Sequence, residues 1–460
     1  MNIRGEVETA ELGDKRLTAR LVRIAEQLAK APDQSFPKAA RSDAALEATY
    51  RFFGNESVTP AAILQPHVAA TAARCAQAGA VFIAHDSTEL LFSSERDGLG
   101  RLRGDHTHGF LGHFALAVGA KDRAPLGILG METVFRERGA RVSYRRTRSL
   151  EQKESRRWLT LVERVDSEIP DVAAAVHVMD READGYELLA ALCASSRRFI
   201  IRLQIDRRAE TAVGRGFISD VMKRRRTLLT REVALSARKP GRDDPPSRAR
   251  KYPYRRTRSA VLAVTAASVT ILRPRRGGPH TPEALRLNVV RVHEKNAGRG
   301  IDPVEWRLVT TEPIDTVEDV AAVVDGYRAR WVIEEYFRAL KQGCAYEKRQ
   351  LESKHALLNA LAVLAPIAWQ LLALRQLSRD RADLPADAVL SPMKLKLLQR
   401  HPDVRLRPEA TIREAMLAIA ALGGHIKNNG DPGWQVLGRG YEDLLLLERG
   451  AALALGCDQS

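Results

Sequence analysis

The chain has 460 residues, is 45% hydrophobic and carries a formal charge of +16 at pH 7, with a pI near 9.9. That length can bury a large core in roughly two to four domains, and so basic a chain favours a polyanionic partner, with nucleic acid ahead of an anionic membrane. The four cysteines show no CxxC spacing, which argues against a zinc site or a disulfide framework and fits a reducing compartment.

Two segments bear on membrane association. The N-terminal stretch MNIRGEVETAEL has no apolar run, so no secretory signal is expected. The longest apolar run, residues 360–374, is interrupted by Pro366 and Gln370 and is too short to span a bilayer. We therefore predict a soluble, cytoplasmic protein without a membrane segment, in which this run is a buried helix kinked at Pro366.

Residues 10–76 are predicted to form a helical unit. The second helix has its start signal at Ser42 or Asp43 and its stop at Gly54, and Thr59 with Pro60 opens a third. The first helix, within LGDKRLTARLVRIAEQLAK, has a buried leucine-rich stripe and a basic face. A basic three-helix unit suits DNA binding, although a solvated charged face explains the same pattern. The cations of that face are Arg16, Arg20, Arg23 and Lys30.

From about residue 80 the periodicity changes to that of an α/β layer. AVFIAHD is predicted to be a short strand buried on both faces and ending at Asp86, and GHFALAVGA and LGILGMETVF continue as a meander. A helix over 151–166 precedes a second buried strand, VAAAVHVMD, which ends at Asp180. The helix READGYELLAALCA and the strand RFIIRLQI follow, so helices and strands alternate.

Residues 207–258 interrupt this layer with 17 Lys/Arg against 5 Asp/Glu. After them come four predicted strands, AVLAVTA, SVTILRP, LRLNVVRVH and VEWRLVTT. We interpret the whole as a basic, β-rich insertion that is partly mobile around 238–250. The last 80 residues are predicted to form a separate helical tail.

The segment YRARWVIEEYFRALK, residues 327–341, is predicted to be one amphipathic helix with an unusual polar face. At about 100° per residue, six side chains fall within a sector of roughly 100°. Burial of the apolar side explains why the segment forms a helix, but it does not explain which residues make up the polar face. The six are Tyr327, Arg330, Trp331, Glu334, Arg338 and Lys341.

Three acids are candidates for metal binding. Asp86 and Asp180 each end a buried strand, where an α/β sheet presents ligand-binding side chains, and Glu334 lies on the polar helix face. Singly, either aspartate could be a cap or turn residue, and Glu334 could merely pair with arginines one turn away. Together, three carboxylates can hold two Mg²⁺ ions about 3.5–4 Å apart, which suits phosphodiester chemistry. Arg330 and Lys341 would then clamp phosphate, with Tyr327 as a further contact.

The spacing Tyr327-x₂-Arg330-x₃-Glu334-x₆-Lys341 resembles the signature of the insertion-sequence-four family of bacterial DNA transposases. The likeness covers nearly the whole chain and is weakest over 207–300 and after 430. Further segments that resemble the family, in the same order along the chain, are LGDKRLTARLVRIAEQLAK, ATYRFFGN, DSTEL, DREAD, RFIIR, VEWRLVTTEP, SPMKLKLLQR and AMLAIAALGGHIKNN.

The resemblance implies a mixed α/β fold in which a β-rich insertion interrupts an RNase H-like catalytic core, between helical DNA-binding and dimerisation domains. The expected divisions are 1–76 for the DNA-end-binding domain, 77–206 for the first part of the core, 207–314 for the insertion, 315–377 for the final core helices and 378–460 for the dimerisation domain. These boundaries agree with the changes in periodicity.

The resemblance also implies site roles. Asp86, Asp180 and Glu334 (rather than Glu335) become the acidic triad that binds two Mg²⁺ ions, for which Mn²⁺ can substitute. Trp306 and Trp331 become the pair that stacks on a base flipped from the transposon end. The residues expected to contact DNA phosphates are Tyr327, Arg330, Lys341 and Arg202, and those expected to grip the transposon end are Arg16, Arg20, Arg23 and Lys30.

The implied reaction is cut-and-paste transposition through hairpin formation, hairpin opening and strand transfer. Its expected partners are double-stranded DNA, as terminal inverted repeats and as target, and a second copy of the chain in a synaptic homodimer. A bacterial cytoplasmic protein, bound to the nucleoid when on DNA, is expected. Two alternatives stay open: a metal-dependent nuclease or resolvase on the same fold, and a non-catalytic DNA-binding repressor.

Overall fold

A computed structural model describes most of the chain. The described residues are 3–40, 42–103, 107–135, 154–211, 214–235, 254, 256–275, 280–298, 301–380, 382–388, 390–404, 406–425, 432 and 434–457. The predicted mobile stretch around 238–250 lies outside them.

The predicted N-terminal helices are confirmed, with a short additional turn. They are α1 (Lys15–Lys30), α2 (Phe36–Ala39), α3 (Asp43–Gly54) and α4 (Pro60–Ala78). The side chain of Ser42 accepts the Ala45 N–H to start α3, which ends at Gly54 as predicted. Thr59 likewise accepts the Ala62 N–H, with Pro60 in the first turn of α4.

The contacts divide the chain into two compact units. The first comprises Met1–Thr147, Thr160–Ala175 and Arg330–Ser460, and the second comprises Arg148–Leu159 and Val176–Ala329. The five-part division expected from the sequence stays a prediction.

The sheet of the first unit is antiparallel and built around one central strand. It contains β1 (Val81–Phe92), β2 (Arg101–Arg103), β3 (Thr107–Gly119) and β4 (Pro125–Val134), and β3 pairs with each of the others. The predicted meander is therefore present. The helices α4 and α5 (Arg156–Glu168) pack on it, through a core that includes Cys75, Ile83, Leu129 and Leu161.

The prediction that the first strand ends at Asp86 is wrong. The strand β1 continues to Phe92, because β3 supplies a partner for all of its residues, from Val81 opposite Gly119 to Phe92 opposite His108. What changes at Asp86 is burial: residues 81–85 are mostly buried, whereas residues 86–89 are half-buried. The apolar run thus marked the end of the covered part of the strand.

The second unit holds a βαβ element followed by antiparallel strands. Its elements are β5 (Ala175–Met179), α6 (Tyr186–Ala194), β6 (Phe199–Arg202), β7 (Arg208–Thr211), β8 (Gly214–Phe217), α7 (Ile218–Lys223), β9 (Leu229–Leu235), β10 (Arg258–Leu272), β11 (Ala284–Glu294), β12 (Glu305–Thr310) and α8 (Val317–Ala329). The strand order is β5-β6-β12-β11-β10-β7-β8, with β9 on β10, and β5 and β6 are parallel. The two strands predicted as AVLAVTA and SVTILRP are one long strand, β10.

The prediction of a single helix over 327–341 is also wrong. The helix α8 ends at Ala329, and a new helix, α9 (Trp331–Arg338), starts after Arg330. The next turn, Ala339–Gly343, is π-helical and closes with the Cys344 N–H donating to the Ala339 carbonyl. Because the turn angle changes twice, the six polar side chains cannot share one α-helical face.

The remainder of the first unit is helical, as predicted. Its helices are α10 (Lys354–Asp380), α11 (Pro392–Arg400), α12 (Ile412–Leu422) and α13 (Trp434–Cys457). The last three share a core that includes Leu398, Ile419 and Leu444.

The apolar helix α10 is longer than the sequence predicted and runs through Pro366. By length and composition, its residues Lys354–Leu377 could cross a membrane, alone among the helices described. In the structure, however, 78% of the most apolar window is buried inside the protein, as in a core helix. The predicted buried helix is confirmed, and the argument from its shortness is wrong.

A buried polar cluster ties the N-terminal segment to α4 and β4. The His67 Nδ1–H donates to Glu6, while His67 Nε2 accepts the Ile128 N–H at 3.0 Å, so the ring is neutral. Arg74 donates to both carboxylate oxygens of Glu6, at 2.9 and 3.2 Å. Burial alone would raise the pKa of Glu6, but the hydrogen bonds from His67 and Arg74 outweigh it, so this pKa lies below its ordinary value.

We expect Glu6→Gln to destabilise the protein most at neutral pH. Losing hydrogen bonds to an ionised group should lower the free energy of unfolding by about 1.5–3 kcal/mol. The pKa of Glu6 is lower in the folded protein than in the unfolded chain. Ionised Glu6 therefore stabilises the fold fully at a pH above its unfolded-state pKa, and this stabilisation is lost as the pH falls through its folded-state pKa. The difference between variant and wild type should therefore shrink on acidification.

Urea unfolding midpoints at pH 7.5, 5.5 and 4.5 measure this difference. Burial lowers the pKa of His67 and Glu6 partly offsets this lowering, so the variant loses further stability below about pH 6.5 as His67 takes up a proton. Repeating the series in a His67→Gln background separates the contribution of Glu6 from that of His67. The exposed neighbour Glu8 supplies the matched control, Glu8→Gln, for which no effect is expected. A difference that stays constant with pH would contradict the role given to the Glu6 carboxylate.

Candidate active site

Asp86 lies in the middle of β1, opposite Phe114 of β3, and its side chain is 17% exposed. Alternation along the strand places Asp86 on the same face as the buried Ala84, and Asp86 is less buried because burial of the whole strand decreases here. Its Oδ1 accepts the N–H of Ser87 at 2.8 Å. This leaves Oδ2 directed toward a partner from another element.

That partner is Arg330, which joins two of the three predicted acids. Its Nη1 lies 2.7 Å from Asp86 Oδ2, and its Nη2 lies 2.7 Å from Glu334 Oε1. The arginine side chain is only 7% exposed, whereas that of Glu334 is 31% exposed. Two carboxylates that are 248 positions apart in the sequence, Asp86 and Glu334, therefore converge on one guanidinium. Arg330, which was predicted on the polar face of a helix, is buried at the N-cap of α9.

Lys341 also approaches β1. Its Nζ donates to the carbonyl of Glu89 and lies 3.5 Å from Glu347. Glu347 in turn accepts the N–H of Leu91 at 2.9 Å. The π-helical turn thus carries Lys341 to the same strand that bears Asp86, three residues further along.

The structure separates Glu334 from its neighbour Glu335. Glu335 pairs with Arg338 on its own helix and with Arg375 of α10, at 2.8 Å. Glu334 instead faces β1 through Arg330. The choice of Glu334 as the site residue agrees with this difference in surroundings.

Trp331 is 51% exposed, and the Arg330 guanidinium lies 5.6 Å from its ring centroid. An exposed indole at the first position of a helix leaves a ring surface open to a flat partner. A ring with this exposure is able to stack on a base.

In the second unit, Asp180 directly follows β5, as predicted. Its Oδ1 accepts the Glu182 N–H at 2.8 Å and caps the short 3₁₀ turn Arg181–Ala183. The capping interpretation is therefore observed, and it occupies one carboxylate oxygen. The side chain stays half-buried at the end of a parallel strand, where α/β sheets present ligands.

Trp306 and Tyr327 pack against each other edge to face, with ring centroids 5.5 Å apart. Tyr327, which was predicted on the polar face of the helix, is only 2% exposed. Trp306, on β12, is half-buried. Arg202 donates to the Glu305 carbonyl at 3.1 Å, across the pair formed by β6 and β12.

Asp184, the last residue of DREAD, was not among the predicted site residues. Its Oδ2 accepts the N–H groups of Gln204 and Ile205, at 2.7 and 2.8 Å, and its Oδ1 accepts from Arg207 Nε at 2.9 Å. The pair is almost fully buried. Asp184 thereby fixes the chain after β6, the strand that carries Arg202. In the sequence, the only indication of this role was that Asp184 lies four residues after Asp180.

The basic face of α1 is present. Arg16 is 92% exposed and pairs with the capping residue Asp14. Arg23 is exposed and Arg20 half-buried, and neither forms an ion pair with another described residue. Lys30 is half-buried in the last turn. Arg16, Arg20 and Arg23 follow one another at helical spacing and form a cationic stripe.

The described residues within either unit contain no group of three or more His, Cys, Asp or Glu side chains placed to hold a metal ion. Asp86 and Glu334 belong to the first unit and Asp180 to the second. In the first unit, Asp86 and Glu334 are suited to bind a cation, because both carboxylates already share the positive charge of Arg330. Carboxylate oxygens are also the ligands that Mg²⁺ prefers.

A helical unit with a cationic stripe and paired carboxylates on an α/β sheet are features of enzymes that cut nucleic acids. Comparison with protein families agrees: a model described as "Transposase DNA-binding" matches residues 3–58, and one described as "Transposase DDE domain" matches residues 131–369. The second match covers more than half of the 460 residues. The chain therefore belongs to the DDE transposase family and is a DNA transposase.

The matches locate the site residues within the family. Asp180 and Glu334 lie inside the DDE match, and α1 with its basic face lies inside the DNA-binding match. Asp86 lies between the two ranges, so its connection to the site is its contact with Arg330. Divalent metal ions are typical of DDE transposase domains.

Proposed function

We propose that the protein is a cut-and-paste transposase in which Asp86, Asp180 and Glu334 form the acidic triad. The observation that carries the proposal is the convergence of Asp86 and Glu334 on Arg330. Two carboxylates that converge on one point are costly to keep ionised without a cation, and here the half-buried Asp86 and Glu334 share the charge of Arg330. Membership of the insertion-sequence-four group is part of the proposal.

The triad would hold two Mg²⁺ ions, or Mn²⁺ in their place, which supply Lewis-acid stabilisation of the attacked phosphate and of the leaving oxygen. Arg330 and Lys341 hold the phosphates of the strand to be cut, since both reach β1 and carry positive charge beside it. Tyr327 is buried against Trp306, so its contribution is to position that ring.

The chemistry is a series of phosphoryl transfers that conserve bonds. Water attacks a phosphodiester at the transposon end, and the leaving 3′-oxygen takes up a proton to become a hydroxyl. That hydroxyl attacks the opposite strand, forming one phosphodiester as another breaks, and so yields a hairpin. Hydrolysis opens the hairpin, and the same 3′-hydroxyl attacks target DNA. No nucleotide cofactor is needed, because each bond formed replaces one broken.

Arg16, Arg20, Arg23 and Lys30 of α1 grip the terminal inverted repeat, supported by the DNA-binding match over 3–58. Arg202 contacts the backbone near the end. The C-terminal helices α11, α12 and α13 join two copies in the synaptic complex, where one subunit holds the end that the other cuts. The homodimer is needed so that both ends react together.

The decisive experiment is to incubate the full-length protein and Mg²⁺ with DNA that carries the inverted repeats flanking its own gene. Hairpin-ended products on a denaturing gel, followed by insertion into a supercoiled plasmid, are expected. Nicks without hairpins or insertions would instead indicate a nuclease or resolvase. Binding without any cut would indicate a repressor.

Hairpin formation also gives a prediction for Trp331. Trp331→Ala should leave the first nick intact and lower the hairpin yield about 5- to 100-fold, because base–aromatic stacking contributes roughly 1–3 kcal/mol. Trp306→Ala should act in the same direction. Nicks and hairpins are separated on one denaturing gel.

Trp331→Phe is the matched control, since it keeps a ring at the exposed first position of α9. It should restore most of the hairpin yield. An Ala variant that forms hairpins at the wild-type rate would exclude the stacking role.

A further inference from the structure

At least eight of the described arginines of the second unit pair with acids of the same unit. Many of these pairs are bidentate, such as Arg231 with Asp325, at 2.6 and 2.9 Å. The positive charge of these arginines is therefore offset within the unit. The arginine–acid pairs are Arg157–Glu182, Arg198–Glu312, Arg207–Asp184, Arg215–Glu210, Arg231–Asp325, Arg258–Glu294, Arg291–Glu305 and Arg307–Asp206.

The run from Lys223 to Arg226 is different. All four side chains are exposed, and none forms an ion pair or hydrogen bond with the parts of the chain that the structure describes. Four adjacent like charges repel one another, so the run does not stabilise the fold through their interaction. We call these four residues the basic run.

The fold fixes the position of the basic run. It closes the helix α7, whose Ile218 and Met222 are fully buried and which packs against β10. The N–H groups of Arg224 and Arg225 bond back to the carbonyls of Val221 and Met222. The backbone of the run is thus ordered, and cations at a helix C-terminus are favoured there.

The hairpin that leads into α7 adds an exposed cation and an exposed ring. Arg208 of β7 lies opposite Phe217 of β8, the residue directly before α7. Arg208 is exposed and forms no ion pair among the described residues, and Phe217 is 43% exposed. The next pair on the same face, Glu210 and Arg215, neutralise each other. Unpaired cations beside an exposed ring are typical of surfaces that bind nucleic acid.

We propose that the basic run, together with Arg208, binds the backbone of the target duplex into which the transposon end is inserted. The inference rests on the proposed function and assigns a second DNA surface, separate from α1. Lysine and arginine contacts to phosphates position a duplex without reading its sequence. Such a surface suits a target of variable sequence, whereas the inverted repeat must be read.

The size of the effect follows from counterion release. Each phosphate contact contributes about 0.9 to the slope of log affinity against log salt, so losing three arginines should reduce this slope by about 2.7. At fixed moderate salt, the affinity for a duplex of unrelated sequence should fall at least about tenfold.

The test is the triple variant R224A/R225A/R226A in the full-length chain, measured in three assays. Binding to the inverted repeat and cleavage of the end should stay within about twofold of wild type. Strand transfer from a pre-cleaved end into a plasmid should fall at least about tenfold, with the reduced salt slope on unrelated duplex.

Two matched variants accompany it. R224K/R225K/R226K keeps the charge and should retain strand transfer, which excludes a loss caused by misfolding. K121A/R275A/K295A removes the same charge from scattered exposed positions and should leave strand transfer unchanged.

Unchanged strand transfer in the alanine variant would overturn the proposal. An equal loss of binding to the inverted repeat would also overturn it, because the basic run would then bind the transposon end and not the target duplex. If the wild type makes no cut at all, the proposed function fails. The salt slope on unrelated duplex still decides whether the run binds DNA.

Discussion

Glu334→Gln is expected to lower the rate of end cleavage at least about a thousandfold while leaving end binding intact. Glutamine keeps the shape of the side chain but removes the charge that pairs with Arg330 at 2.7 Å. Losing a metal-binding carboxylate removes several kcal/mol of transition-state stabilisation, and about 4 kcal/mol corresponds to a thousandfold in rate. Single-turnover cleavage of a labelled end, with a gel-shift assay on the same DNA, measures both quantities.

Glu335→Gln is the matched control, because it makes the same change one residue away. Glu335 pairs with Arg338 and Arg375 rather than with the site, so its loss should weaken the packing of α9 on α10 without changing cleavage beyond about threefold. Equal losses in the two variants would mean that helix packing, and not the carboxylate, explains the effect. Wild-type cleavage by the Glu334 variant would remove it from the triad.

The parts of the fold that could be predicted are those set by local chemistry. Ser42, Thr59 and Pro60 start helices because their side chains or ring satisfy first-turn geometry without help from the rest of the chain. Asp180 follows β5 because the five residues before it are all buried, which is what a strand covered on both faces requires. These signals lie within a few residues of the structure that they specify.

The parts that could not be predicted depend on distant partners. The extension of β1 past Asp86 depends on β3, which pairs with its full length, and no pattern within β1 carries that information. The break at Arg330 arises where the guanidinium is drawn into a buried pair with Asp86, 244 residues away. A helical wheel assumes a regular helix, so it missed both this break and the π-helical turn that carries Lys341.

Within the candidate site, the sequence indicated the grouping of Glu334 with cations, but it did not indicate how buried the side chains are. The pattern of Glu334 among cations was visible, and the choice of Glu334 over Glu335 agrees with the contacts. The burial of Tyr327 against Trp306 was not visible, because the two residues come from a helix and a strand 21 positions apart. The spacing within a motif indicates which functional groups are present, whereas the burial of each side chain depends on contacts with distant parts of the chain.

Arg330→Ala should change metal binding and cleavage in opposite directions. In the structure this cation neutralises Asp86 and Glu334, so it competes with any metal for the same two carboxylates. Removing charge-assisted hydrogen bonds of about 1.5–3 kcal/mol should tighten Mn²⁺ binding roughly 10- to 100-fold. Cleavage should fall about a hundredfold, because the arginine no longer holds the phosphate. Calorimetric titration with Mn²⁺ and single-turnover cleavage measure the two effects.

The sign of the change in metal affinity decides what Arg330 does before DNA arrives. If it only orients the carboxylates, its loss should weaken Mn²⁺ binding, since two like charges would then move apart. If it stands in for the metal, its loss should strengthen binding, as predicted. Arg338→Ala, which removes an exposed arginine from the same helix and pairs only with Glu335 among the contacts described, should change neither quantity. Arg330→Lys should give a Mn²⁺ affinity and a cleavage rate between those of the wild type and of Arg330→Ala. Its ammonium group keeps the charge but cannot bridge both carboxylates as the guanidinium does.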